Sequence, residues 1–250
     1  IETGMSSDPA MNWKISELNN KAIVSFSDSH SFWPWRLGRE ATIFSDVKKY
    51  DDIIDQIRNN TILGTVETDP GYGKYHWDGH RLCNFSVSPS ETKKLNGICP
   101  VCKKPLIIGV ETRVDKLENQ DIKKYPKRKK FYKILPLHEL ISASVGTGVN
   151  TKKVWAVYDP LIKEFGNEFN VLLYADREKL GKFVSSEILE LIMLNRDGKI
   201  EVKPGYDGVY GVVVIGGKVI QTSEAESEAK KEKVLEIKEN SKHDKQKKLF

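Results

Sequence analysis

Ala22-Ile23-Val24-Ser25-Phe26 runs directly into Ser27-Asp28-Ser29-His30, and this passage decides how the first third of the chain is read. The apolar, β-rich run predicts a buried strand. Side chains two apart on an extended chain point the same way, so a carboxylate and an imidazole leave the strand end able to reach one metal ion. In α/β barrels the chemistry sits at that end of a strand. Around the strand, residues 12–19 are expected to form a short helix. Ile53, Ile54 and Ile57 have helical spacing over 50–60, and Gly64 follows.

Beyond residue 65 the pattern changes. Gly, Pro, His and Cys cluster over 66–110, where a large core is not expected to fold the chain. His80-x2-Cys83 and Cys99-x2-Cys102 take in all three cysteines. Two such pairs close a tetrahedron around one Zn2+, with no open position, so the expected role is structural. His76 is the rival fourth ligand, and His80 is preferred because His-x2-Cys mirrors the second half.

A basic stretch follows at 119–133, where Lys127, Arg128, Lys129 and Lys130 could track a DNA backbone, with stacking from Tyr125, Phe131 or Tyr132. Residues 136–198 are expected to be mainly helical. Leu137, Leu140 and Ile141 start one helix, 154–165 form a second ending at Gly166, and 185–195 form a third. The Gly146/Gly148 link places Lys152 and Lys153 where they could meet phosphates. Pro204 to Gly208 is turn chemistry, Gly216-Gly217 predicts a hairpin, and 222–250 is expected to be a disordered, charged tail.

The net charge of +5 suits a polyanionic partner. Three cysteines argue against a disulfide framework, and no apolar run approaches a membrane span, so a cytoplasmic, intracellular protein with no membrane partner is the expectation.

Ser27-Asp28-Ser29-His30-Ser31-Phe32-Trp33-Pro34-Trp35-Arg36-Leu37-Gly38-Arg39-Glu40 resembles the last metal motif of PHP (polymerase and histidinol phosphatase) domains, and more narrowly that of endonuclease Q. Glu2 to Trp13 and Pro204 to Gly211 are similar to the same family, in its order, so the resemblance spans about 1–215. It implies an α/β fold. Residues 1–65 would be the C-terminal part of a PHP-type (β/α) barrel, 66–118 a zinc-binding module, and 119–221 the basic connector, helical region and terminal strands. It also implies a metal-dependent endonuclease that cuts duplex DNA 5′ to a deaminated base such as uracil or hypoxanthine. Asp28 and His30 would be catalytic ligands for Mg2+, Mn2+ or Zn2+, and Ser7, Trp33, Arg36, Arg39, Tyr206 and Asp207 would contact substrate. For Trp33 and Trp35 packing is the preferred reading, and for Arg39 pairing with a carboxylate stands beside phosphate contact. The family's opening His-x-His has no counterpart here, so the chain is expected to begin inside a domain and to be inactive alone. A replication clamp is the candidate partner for the tail. The competing readings are a non-catalytic, zinc-containing nucleic-acid-binding module and a PHP phosphatase for small phosphate esters.

Overall fold

Strand Gly64–Glu67 is the hub of the computed structural model, which describes residues 1–215 and 218–220. It pairs antiparallel with Ala41–Ile43 on one side and parallel with Lys130–Lys133 on the other. All four of its residues are buried. Gly64 is required here because any Cβ would collide with the carbonyl of Lys130. The expected basic connector is therefore part of the same sheet as the N-terminal region, and the hub strand runs across the expected boundary at 65/66.

The sheet is open. Among the described residues no closed barrel is present; the strands form three small sheets. The predicted strand Ala22–Phe26 is corrected in the same sense. Ala22 to Ser25 are buried, but the run makes only an isolated parallel bridge between Glu2 and Val24, and Phe26 is exposed. On its far edge the Thr42 hydroxyl bonds both the N–H and the C=O of Ser25, so a side chain stands in for a ladder. The helix expected over 12–19 is displaced. Asp8 caps a short helix Pro9–Asn12 by accepting from Met11 N–H at 2.9 Å, and a single 3-10 turn covers Ser16–Leu18.

The helical region forms as expected. Helices Leu137–Val145, Lys152–Phe165 and Ser186–Arg196 bury Leu140, Ile141, Leu161 and Ile192. Val66, Ile134 and Val213 belong to the same core, which ties helices and sheet together. Gly146 (φ 66°) and Gly166 (φ 85°) end the first two helices in conformations a side chain resists. Glu168 accepts from Leu137 N–H at 2.7 Å, giving a backbone N–H at the start of the first helix a partner.

Strand Glu201–Lys203 pairs with Val212–Ile215, which pairs with Lys218–Ile220, so the predicted terminal strands are present. Residues 216–217 and the tail at 222–250 lie outside the described residues. Among the described residues no helix is long and apolar enough to cross a membrane.

Asn195, almost fully buried, accepts from Leu135 N–H at 2.8 Å and donates to Leu135 C=O at 3.1 Å, acting as a strand partner. Asn195→Ala leaves both backbone groups unpaired and is expected to cost about 2–4 kcal/mol in urea unfolding. A loss within about 0.5 kcal/mol would show the helix-to-sheet contact does not depend on this residue.

Candidate functional site: a cleft of arginines with Asp28 and His30, and a His/Cys cluster

The loop after Phe26 is set by its own serines. Ser29 Oγ donates to Ser31 C=O at 2.6 Å, and Ser31 Oγ receives Trp33 N–H at 3.4 Å. Asp28 has φ 42°, so the chain leaves the extended form at this residue. The alternation argument is therefore not how the pair meets. The turn itself brings His30 Nε2 to 3.6 Å from Asp28 Oδ2, with both side chains nearly fully exposed.

One helical turn follows, with the N–H groups of Arg36 and Leu37 both donating to Trp33 C=O. Together with Gly38 (φ 69°) it delivers Arg36 and Arg39 to the same cleft as Asp28 and His30. The cleft holds about 360 Å³. Tyr72, Gly73, Thr68 and Tyr210 complete its walls, and Met5 sits at its edge. Arg39 also lines a second cleft of about 310 Å³, with Pro34, Phe169 and Leu172.

Trp33 and Trp35 are stacked, with centroids 4.9 Å apart and planes 10° from parallel. Trp35 is buried against His138 (5.0 Å) and edge-on to Trp155. These rings fasten the loop to the helices, which is the packing alternative for the tryptophans. His138 is fully buried, and its desolvation lowers it to about 4, so it is neutral.

Beneath the loop lie two buried carboxyls, Glu40 and Glu67. Thr3 Oγ1 and Ser25 Oγ donate to Glu67 Oε2 at 2.9 and 3.1 Å. Burial pushes each carboxyl up to about 7, and the neighbouring Glu40 adds to the shift at Glu67. Sequence reading missed both. The available signal for Glu67 was a lone carboxylate inside a β-branched run, Thr65-Val66-Glu67-Thr68.

Other expected contacts fall elsewhere. Ser7 Oγ donates to Thr3 C=O and receives Asn12, so it braces the N-terminal turn. Tyr206 and Asp207 do not line the cleft. Asp207 (φ 41°) and Gly208 (φ 84°) form a tight turn between Tyr206 and Val209. From it the buried Tyr206 hydroxyl donates to Asn84 at 2.9 Å and Asp207 Oδ2 accepts Arg81 N–H at 2.6 Å. Tyr125 and Phe131 are not base-stacking platforms, because both pack on Trp13. Lys130 lies over the Tyr132 ring at 4.4 Å. Lys127, Arg128 and Lys130 are exposed, Lys129 is half-buried, and Lys152 and Lys153 are the exposed first residues of their helix.

The second assembly is the His/Cys cluster. The ligand atoms of His80, Cys83, Cys99 and Cys102 all lie within 4.8 Å of one another. His80 Nδ1 is 3.0 Å from Cys83 Sγ and 3.3 Å from Cys102 Sγ. A tetrahedral Zn2+ with bonds of about 2.0–2.3 Å spaces its ligands by about 3.3–3.8 Å, so three sulfurs and one imidazole nitrogen fit that ion. His76 stands outside the cluster, 3.7 Å from Glu111. Helix Pro89–Lys94, with a Ser88/Glu91 capping box, separates the two halves of the cluster in sequence. Strand Asp78–His80 carries the first half, and Asp78 reaches Gly109 N–H and Thr112 Oγ1 beyond the second.

Asp28 and His30 do not by themselves fit a metal centre. Among the described residues only the His80 cluster brings three or more such donors together. Two donors leave an ion mostly to water.

The family model of the MJ0043 C-terminal domain matches residues 136–199. The uncharacterized protein MJ0043 of Methanocaldococcus jannaschii is 36% identical over 222 residues, covering 85% of this chain and 28% of that protein. The uncharacterized protein YqxK of Bacillus subtilis is 29% identical over 218 residues, covering 85% of this chain and 52% of that one. The crystal structure of the lesion-specific endonuclease PfuEndoQ from Pyrococcus furiosus superposes with a TM-score of 0.75 at 29% identity, covering 85% of this chain and 54% of that one. A structure of endonuclease Q in complex with a 27-mer duplex carrying an abasic lesion at the active site gives 0.73 at 28% identity, with 88% and 56% covered. The chain thus spans about half the length of these solved structures and under a third of MJ0043.

The buried carboxyls set a pH dependence. Their pKa values are raised from 4.5 to about 7 in the fold, so the native state keeps protons that the unfolded chain releases. Stability is fully present below about 4.5 and is lost as pH rises through about 7. Glu67→Gln, neutral throughout, should narrow the difference in Tm between about pH 5 and about pH 8. An unchanged difference would show that Glu67 is ionised in the fold.

Proposed function

Because this chain is related to endonuclease Q, we propose that it is part of a DNA repair endonuclease that recognises a damaged nucleotide in duplex DNA and hydrolyses the phosphodiester 5′ to it. The observation that carries the reading is the cleft, which gathers Asp28, His30, Arg36 and Arg39 from one loop. Its two guanidiniums suit phosphate, which they bind with paired N–H donors. Its volume of about 360 Å³ accommodates an extruded base or an abasic sugar. The lesion classes in view are uracil, hypoxanthine and the abasic site.

Asp28 and His30 would contribute two ligands to a catalytic site for Mg2+, Mn2+ or Zn2+, the remaining donors coming from outside the described residues. No step through such a metal follows from two donors. What this chain's own groups supply is positioning: arginines on phosphate, and walls of Tyr72 and Tyr210 against the lesion.

The His80 cluster is proposed to hold one structural Zn2+, whose chemistry is to cross-link two loops that share little apolar core. One equivalent of zinc per chain is expected by elemental analysis. Cys99→Ser should lose it, whereas His76→Ala should keep it. Retention by the cysteine variant would refute the site.

The two-donor count favours a second reading, a zinc-containing nucleic-acid-binding module without chemistry of its own. An end-labelled duplex with one deoxyinosine, deoxyuridine or abasic site, with Mg2+ or Mn2+, separates the readings. Lesion-selective binding with a cut 5′ to the lesion supports the nuclease. Binding without a cut supports the module, and no binding overturns both. Where cutting is seen, Asp28→Asn should lower its rate by at least about 100-fold and change DNA affinity by less than about threefold.

A further inference from the structure

The second cleft opens where the loop after Trp33 meets the helical region, and neither Asp28 and His30 nor the His/Cys cluster lies in it. It holds about 310 Å³, at the lower end of the range of about 300–1,000 Å³ for small-molecule sites. The loop supplies Pro34, Leu37 and Arg39, and the helical region supplies Tyr158, Glu168 and Phe169. The two segments touch beside the cleft, since a Cβ at Gly38 would stand 3.5 Å from the Phe169 ring.

The lining says what would fit. Phe169, Pro34 and Leu37 give an apolar space suited to a flat ring. Arg39 adds a guanidinium, which suits phosphate. Glu168 adds a half-buried carboxyl. Its two oxygens each accept one bond from the protein, from Leu137 N–H at 2.7 Å and from Tyr158 O–H at 3.1 Å. A carboxyl has acceptor capacity beyond two bonds, so this one can still take an N–H of a ligand. A lysine or arginine side chain would satisfy Glu168 but repel Arg39. A nucleotide satisfies all three features, with its phosphate, its ring, and a pairing edge that carries an N–H in every natural base.

We propose that this cleft is a second nucleotide subsite, taking the base on the 5′ side of the scissile phosphate. Arg39 alone lines both clefts. A phosphodiester joins two nucleosides, so a scissile phosphate on Arg39 with the damaged nucleotide in the first cleft leaves its 5′ neighbour for the second. An abasic site removes one stacking partner of that neighbour, which lowers the cost of unstacking it. The inference rests on the reading of the first cleft. It also gives the helical region, which supplies Glu168 and Phe169 and matches the MJ0043 family model, a part in binding.

The test is fluorescence anisotropy on labelled duplexes with one abasic site, whose 5′ neighbour is adenine or purine. Purine lacks adenine's amino group and has no N–H on its pairing edge. The two duplexes differ in pairing strength by the same amount for every variant, so substitution isolates the site. The ratio of adenine to purine affinity should fall at least about threefold in Glu168→Gln, which keeps one acceptor oxygen. It should fall as far in Leu37→Trp, which fills the mouth from a side chain that is 55% exposed. Far-UV dichroism should be unchanged; should Glu168→Gln lose it, Leu37→Trp alone decides. With the same exchange made at the 3′ neighbour, neither variant should move the ratio. A 5′ ratio that the folded variants leave unchanged overturns the subsite, while lesion binding by the wild type leaves the first cleft's reading intact. A response at the 3′ neighbour instead overturns the assignment. A wild-type dimer that Leu37→Trp dissociates shows a second copy covering the cleft, and also overturns it. If the wild type binds no abasic duplex, the reading of the first cleft is refuted and the subsite falls with it.

Discussion

Glu67 is a fully buried carboxyl at the centre of the only mixed sheet among the described residues, and the position of the cleft depends on it. Its strand pairs on both sides, so its backbone is fully committed. Its side chain then gathers Thr3 and Ser25, which belong to two segments with almost no strand pairing of their own. Asp28 and His30 follow Ser25 by three and five residues. A misplaced Ser25 therefore moves the whole loop. A protonated carboxyl suits this task, because it bonds two hydroxyls without leaving a bare charge in the interior.

The rings complete what the carboxyl begins. Trp35 is inserted against His138 and Trp155, so the far side of the loop is fixed to the helices while Glu67 and its hydroxyl partners fix the near side. Arg36 and Arg39 hang between these anchors. The His/Cys module is joined to the same body at a different point, by the Tyr206 and Asp207 turn and by the bridge between Trp77 and Tyr206. Cleft and module are consequently parts of one framework.

Periodicity made the helices legible. The spacing of Leu137, Leu140 and Ile141, and Gly166 as a terminator, predicted elements that the structure contains. Cysteine spacing likewise predicted the cluster that forms, down to His80 in preference to His76. Short strands were less legible. Lys130-Phe131-Tyr132-Lys133 has too few residues to show alternation, and its charges suggested a linker, yet its backbone is a parallel strand. Ala22 to Phe26 had the opposite failing: its composition is that of a strand, but ladder partners are a tertiary property that composition does not specify. For the site, proximity of Asp28 and His30 was expected for the wrong local reason, since a positive φ at Asp28 rather than alternation brings them together. Asp69-Pro70-Gly71-Tyr72 placed Tyr72 in the cleft through a turn of the hub strand, a contact between distant segments that no local pattern announces.

Hydrogen–deuterium exchange of the chain with and without a duplex carrying one abasic site tests the central claim most directly. The account predicts protection concentrated over residues 28–39 and 68–73, two segments that supply most of the cleft's walls. Protection confined to the 123–133 or 152–165 segments, with 28–39 unchanged, would contradict it and leave the cleft without a part in lesion recognition.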